Sequence, residues 1–381
     1  MSLSLFILIF SLLLITYVYV LYPVILYVLT VNKSIVFRSK EENIEKISVL
    51  IAAYNEEDYI LECIQSVIDA DYPKSALEIL VGSDGSTDKT DEIIKTISQE
   101  NDIVKYFRLE RVGKNSILNH LSEKMSGSIM LVLDADCRLK KESLKQTNSI
   151  LKDNVGCLVY SVEFYQSDDN TGSKGESFYQ KYDSFLRERE SLLKSNINSL
   201  GSHAIRKEIF QKFPNDKVCD DLYSLLVTIQ NKKKVIFSKK ISIVDVRERN
   251  FGEEYQRRKR LVGGGLATIF SFPKLLNPTN GWTSLFLWSH KILRWYSAII
   301  LLLAYITSFF ILDTALGAAF MYFFSISIVL SIIGYLLEKN RISNPLKLPL
   351  FFVSMNIGFV EGIIQFYKKK QNAIWSRKGL E

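Results

Sequence analysis

The chain sorts its apolar positions into two regimes. Residues 3–31 run without a charged side chain, and charge is sparse again from 295 to 337. At about 1.5 Å per residue the first stretch is long enough to cross a hydrocarbon core of roughly 30 Å. A cleaved signal peptide is the competing reading. The stretch is too long for one, has no basic start, and offers Tyr17, Tyr19, Tyr22 and Pro23 where small residues belong. A retained anchor over 1–32 is expected. Trp295–Leu312 and Thr314–Leu337 read as two further spans. A third segment, Leu348–Tyr367, is interrupted by Asn356, Gly358, Glu361 and Gly362, and its topology stays open.

Between 45 and 250 the pattern alternates. Short β-branched runs (Lys46–Ala53, Leu77–Gly82, Val104–Leu109 and Ile129–Leu133) are separated by stretches of helical period, as at Ile60, Cys63, Ile64 and Val67 and again at Thr90–Gln99. Strands alternating with helices predict an α/β domain, a mostly parallel sheet covered on both faces. Ligands of such sheets bind beyond the carboxyl ends of the strands. Residues 251–293 mix Arg and Lys with glycines, Trp282, Trp288 and His290, and read as an amphipathic stretch at a membrane interface. The spans are then expected within 294–381.

Charge supports this division. The net charge is +7, with basic residues beside the apolar segments: Lys33, Arg38 and Lys40, then Arg257–Arg260, then Lys368–Lys370. Such flanks mark the cytoplasmic side of membrane segments, so the excess gives no reason to expect a nucleic-acid partner. Cys63, Cys137, Cys157 and Cys219 lack CxxC spacing and read as reduced thiols.

Polar motifs fall at the strand ends. Asp134-Ala135-Asp136 follows the fourth run. Two carboxylates so spaced can share one hard divalent cation and leave positions for diphosphate oxygens; a solvated turn is the plainer reading. Asp84, in Ser83–Asp88, is either a turn former or an acceptor for a base or ribose. Tyr54-Asn55-Glu56 poses the same choice between helix capping and nucleotide contact. Asp220-Asp221 either cap a helix or supply a base for an acceptor hydroxyl. Gln256-Arg257-Arg258-Lys259-Arg260 is a membrane-surface patch, a diphosphate clamp, or both. His203 reads as structural.

In order and spacing, AAYNEE (52–57), SDGSTD (83–88), GKN (113–115), DAD (134–136), GSHAIRKEIF (201–210), CDD (219–221), QRRKR (256–260) and SHKILRW (289–295) resemble the membrane-bound family 2 glycosyltransferases of GT-A (Rossmann-like) fold. The resemblance implies a metal-dependent, inverting transferase that moves a sugar from a UDP-sugar to a lipid-linked or glycan acceptor. Asp84 would meet uracil and ribose, Tyr54 and Glu56 the base pocket, and Lys114 the nucleotide. Asp134 would face the donor sugar, Asp136 would bind Mg²⁺ or Mn²⁺, and Asp221 would be the general base. Gln256, Arg257, Arg258 and Arg260 would bind the departing diphosphate. The QRRKR run departs from the Gln-x-x-Arg-Trp signature of processive synthases: Lys259 stands where Arg is expected and Arg260 where Trp is expected. That favours the addition of one or a few sugars over a processive polysaccharide synthase. A nucleotidyltransferase, which would form a nucleotide-sugar, shares the alternation but fits the basic run and spans less well.

Overall fold

The computed structural model describes residues 2–35, 43–164, 173–214, 219–247, 251–340 and 345–368. Arg38, Lys40, Lys369 and Lys370 lie outside them. The predicted runs are strands: β1 (Ile47–Ala53), β2 (Leu77–Asp84), β3 (Val104–Leu109) and β4 (Ile129–Asp134). With β5 (Cys137–Leu139), β6 (Val155–Phe164), β7 (His203–Arg206) and β8 (Lys234–Asp245) they make one sheet in the order β3-β2-β1-β4-β7-β6-β8-β5. The first four strands are parallel, and β7 enters antiparallel between β4 and β6. The sheet is therefore mixed but mostly parallel, with GT-A character.

Alternation decides which face each side chain covers. Val49, Ile51, Ile79, Val81 and Leu131 point to one face, under α2 (Ile60–Ile68) and α3 (Thr90–Glu100). Leu50, Leu80, Met130 and Val132 point to the other. There they meet α4 (Lys114–Lys124) and, in the same apolar cluster, Leu222, Leu225, Val262, Trp295 and Phe359. One core thus runs from the sheet into the apolar helices.

The remaining helices of eight residues or more are α5 (Ser143–Ile150), α6 (Ser173–Leu193), α7 (Asp220–Gln230), α8 (Phe251–Phe270), α9 (Trp282–Ile311), α10 (Ala315–Lys339) and α11 (Lys347–Tyr367), with α1 (Leu3–Thr30) at the start. Among the described residues, four helices are long and apolar enough to cross a membrane: Leu3–Thr30, Trp282–Ile311, Ala315–Lys339 and Pro349–Tyr367. The helix expected from Trp295 begins at Trp282 and runs through the boundary placed at 293. Its first turns lie against α6, whose Asp183 and Glu190 take Arg294 and His290 as partners at 3.0 and 2.7 Å. Tyr22 of α1 donates to the same Glu190 at 2.6 Å. A buried polar cluster thereby pins α1 and α9 to the sheet domain.

The last helix, α11, is arranged differently from the others. Its start packs on Gly334 of α10, and its final Tyr367 hydroxyl lies 2.8 Å from that of Tyr296 on α9. Gly334 is about 28 Å along α10 from Ala315, and Tyr296 about 22 Å along α9 from Ile311, at about 1.5 Å per residue. Both ends of a helix about 31 Å long thus sit at similar depth. Its middle lies along α8, where Gly362 abuts Val262 and Glu361 pairs with Lys259 at 2.6 Å. At the far end the apolar cluster of Leu8, Ala304 and Ile311 holds α1, α9 and α10 together, and no described residue of α11 joins it.

Candidate active site

The parallel register brings the polar motifs to one edge. Ala52 pairs with Asp134 and Ala53 with Ser83, so Asp84 and Asp134 emerge two strands apart, roughly 10 Å at ~4.8 Å per strand. Three small clusters form there.

In the first, the Arg111 guanidinium lies 3.3 Å over the Tyr54 ring and pairs with Asp84. Asp84 also accepts from the Val112 and Gly113 amides at 2.7 and 3.0 Å. Asp84 is buried, and its oxygens are turned to protein donors that order the 111–113 turn. Asn55, at φ +53°, sits in the left-handed region, accepts from the Thr87 amide at 2.8 Å, and ties the two loops together.

In the second cluster Arg247 bridges Glu56 and Asp136, the latter at 3.0 Å. Asp136 occupies the turn between β4 and β5. Oxygens of Asp134 and Asp136 and the Cys137 sulfur lie within 4.8 Å of one another. The two partly exposed carboxylates suit a hard divalent cation. The thiol does not, since burial, and then Asp136 beside it, raise its pKa and keep it protonated.

The third cluster joins metal-type acids to the candidate base. Lys114 Nζ lies 2.8 Å from Asp134 and 3.1 Å from Asp220. Burial disfavours its ammonium, but Asp134 and Asp220 outweigh that and hold its pKa above the usual lysine value. The Asp220 pKa is raised as well: burial, and then Asp221 and Asp134, push it up against the pull of Lys114. Asp221 accepts from the Gly201 amide at 3.0 Å and from Leu222 at 2.7 Å. Gly201, at φ +120°, faces the Asp134 carboxylate so closely that a Cβ has no room. His203 is buried between Gly201 O and Ser224 Oγ, at 2.9 and 2.8 Å, in keeping with a structural part.

The basic run divides along α8. Arg258 is buried, Arg257 partly so, Gln256 and Arg260 are exposed, and Lys259 is committed to Glu361. Arg258 and Asp221 line one cleft together with Lys291, Trp295 and Phe359. Sequence reasoning had no reason to single out Arg111 or Arg247, since each is a lone arginine outside any motif. Lys291 stood inside SHKILRW without a role of its own.

A mixed, mostly parallel sheet with acids of several loops gathered at its carboxyl edge is a GT-A-like fold. Residues 48–213 match the sequence family described as glycosyl transferase family 2, so this stretch carries a domain of that family. The chain is 31% identical over 176 residues to the glycosyltransferase AglE of Haloferax volcanii, covering 44% of this chain and 56% of that protein. A probable glycosyltransferase of Sulfolobus acidocaldarius is 28% identical over 264 residues, 66% of this chain and 57% of that one. The matched stretches thus span little more than half of these relatives, and only 25% of poly-β-1,6-N-acetyl-D-glucosamine synthase of Staphylococcus epidermidis. Among solved structures, the mannosyltransferase PcManGT of Pyrobaculum calidifontis, in complex with GDP-Man and Mn²⁺, superposes with a TM-score of 0.73 at 17% identity. The match covers 96% of this chain and 99% of that one, apolar helices included. At that identity the likeness is one of fold.

Proposed function

We propose that this chain is a membrane-embedded, metal-dependent, inverting glycosyltransferase that moves a sugar from a nucleotide-sugar, UDP-linked by the sequence resemblance, to a lipid-linked or glycan acceptor. The carrying observation is the third cluster: Lys114 holds Asp134 and Asp220 together while Gly201 packs on Asp134 and donates to Asp221. The acids suited to a donor's diphosphate and the acid suited to an acceptor's proton thus share one edge.

The roles follow from chemistry. Tyr54 under Arg111 offers a flat face for a base, with Glu56 held behind it through Arg247. Asp134 faces the donor sugar, and Asp136 holds the metal, which when bound neutralises charge on the diphosphate. Lys114 and the Gln256–Arg260 run, Arg258 above all, add positive charge for the leaving group. The acceptor hydroxyl attacks the anomeric carbon and its proton passes to the Asp221 carboxylate. The bond from that carbon to the β-phosphate oxygen breaks, and its electron pair leaves with the nucleoside diphosphate.

For the membrane part, the arrangement of α11 favours three crossings, by α1, α9 and α10, with α11 lying at the inner interface. The sheet domain and Lys368 then fall on the cytoplasmic side, and Lys259–Glu361 sits at the surface rather than in hydrocarbon, which the cost of buried charge in lipid also favours. The PcManGT complex makes GDP-mannose the second donor to try.

The test is nucleoside diphosphate release by the purified full chain with Mn²⁺ and a panel of UDP- and GDP-sugars, with product length followed by gel. One donor turned over to short products is expected. Release of pyrophosphate, or no turnover with any donor, defeats the reading; a long ladder restores the processive alternative.

A further inference from the structure

Between α6 and β7 the chain runs through residues 195–202 without helix or strand, yet Ser195, Asn196, Ile197, Asn198, Ser199 and Ser202 are all buried. An irregular segment inside a protein needs hydrogen-bond partners from elsewhere, since no ladder supplies them. Strand β8 meets its first part: the Val235 amide donates to Ser195 Oγ at 3.2 Å, and the Val235 carbonyl accepts from the Asn196 amide at 2.9 Å. Asn198 meets the rest. Its backbone amide donates to the Asn196 side chain at 3.1 Å, and its carbonyl accepts from that side chain at 2.6 Å. Its own side chain donates to Asp183 of α6 at 2.9 Å and accepts from the Lys291 ammonium of α9. A carboxamide held between a carboxylate and an ammonium has one orientation only.

Lys291 reaches Asn198 because α9 widens there. The Leu293 amide donates to the Trp288 carbonyl, five residues back, and Ser289, His290, Lys291 and Ile292 are buried in succession. A wide turn of this kind inserts one residue into a helix and recurs at functional sites. It aims His290 at Asp183 and Glu190 and, beside it, Lys291 at Asn198. The far end of the segment is the catalytic edge. Gly201, three residues beyond Asn198, donates to Asp221 and packs on the Asp134 carboxylate. Ser202 Oγ accepts from the Asp134 amide at 3.2 Å.

We propose that Lys291 and Asn198 are positioning residues for Asp221. The wide turn of α9 fixes the Asn198 side chain, Asn198 fixes the buried segment, and the Gly201 amide at the end of that segment fixes the Asp221 carboxylate. The geometry of the base therefore depends on how an apolar, spanning-length helix sits against the sheet domain. Burying an ammonium against a neutral amide costs stability that an apolar side chain would not, and this link gives that cost a use. The proposal rests on the transferase reading only for what Asp221 does; the link from α9 to Gly201 stands without it.

The experiment compares Asn198→Ala and Lys291→Met with wild type, as full chains in phosphatidylcholine nanodiscs. Hydrogen–deuterium exchange of peptides over residues 195–202 should run about tenfold faster in both variants, through the loss of a charge-assisted hydrogen bond, with β1, β2 and β4 unchanged. On the same samples, affinity for UDP and GDP with Mn²⁺ should stay within about twofold of wild type. Nucleoside diphosphate release from the UDP- or GDP-sugar that is turned over, with water as acceptor, should fall about tenfold, and no further when either change is added to Asp221→Asn. Water needs no acceptor subsite, so this loss isolates the base. Unchanged exchange over 195–202 in a variant whose strands stay protected overturns the proposal. So do rate losses that multiply with that of Asp221→Asn, or that match a loss of nucleotide affinity. Faster exchange throughout the sheet marks an unfolded variant, and the other variant then decides. No release by wild type from any donor removes the transferase reading, while the exchange result still decides the link from α9.

Discussion

Removing Lys114 isolates the contribution of the cluster that holds the site together. Lys114→Met keeps length and deletes the charge between Asp134 and Asp220, at 2.8 and 3.1 Å. A hydrogen bond to a charged group is worth about 1.5–3 kcal/mol, and breaking a buried pair costs more because a charge is stranded. The Asp134 side chain is 26% exposed while Asp220 is 7% exposed, so solvent compensates Asp134 but hardly Asp220. The expected loss is about 2 kcal/mol after that screening, or a Tm lower by about 4–8 °C for a domain of this size. Asp220→Asn alone leaves the Lys114–Asp134 contact and should cost under about 1 kcal/mol. In the double variant no charge is stranded, so about 1 kcal/mol of the Lys114→Met loss should return. Thermal unfolding of the four proteins in one detergent, followed by far-UV circular dichroism, gives the cycle. Strict additivity, or a Lys114→Met shift below about 1 °C, refutes the stranded-carboxylate reasoning.

Three further expectations follow. At the opposite end of the sheet, burial would raise the Glu78 pKa, but donors from Ser48, Ser126 and Lys105 outweigh it and bring it down to about 2. A lowered carboxylate pKa stabilises the fold above the ordinary value and loses that contribution as pH falls from about 5 towards 2. Glu78→Gln should thus lose about 2–3 kcal/mol at neutral pH and much less near pH 3; a gap of equal size at both, in denaturant titrations, contradicts this. Gly201→Ala puts a methyl against Asp134 in a backbone region closed to alanine and disturbs the amide that Asp221 accepts from. Transfer should fall about a hundredfold, with nucleotide affinity changed far less; equal loss in both shifts the role of Gly201 to the donor side. For topology, the four native cysteines are buried and give a low background. A cysteine at Asp313 should react with an impermeant maleimide from outside and one at Lys368 only after permeabilisation; outside labelling of Lys368 means that α11 crosses.

Period and punctuation were enough for the elements that the backbone alone decides. The four β-branched runs form strands within two residues of their predicted ends, because a buried parallel strand must be apolar on both faces. The acids at their ends were legible for the same reason, since a strand end at the ligand edge leaves its polar residue nowhere else to go. The antiparallel β7 was not legible: His203–Arg206 is too short to show a period, and its direction is set by β4 and β6. Arg111 and Arg247 were hidden because their partners, Asp84, Glu56 and Asp136, are distant in the chain. The start of α9 was missed because His290, Lys291 and Arg294 read as interfacial charge, whereas α6 and Asn198 take up their polar groups inside the protein. The ambiguity of Leu348–Tyr367 had a physical source: Glu361 is unfavourable in lipid until Lys259 from α8 meets it.

The central claim is that Asp136 serves a metal-bound donor while Asp221 serves only the acceptor's proton. Calorimetric titration of nucleoside diphosphate with and without Mn²⁺ on Asp136→Asn and Asp221→Asn, beside their transfer rates, separates the two. Asp136→Asn should lose the Mn²⁺ enhancement of binding, while Asp221→Asn keeps it and loses transfer by at least about a hundredfold. Metal-enhanced binding intact in Asp136→Asn, or transfer intact in Asp221→Asn, contradicts the account.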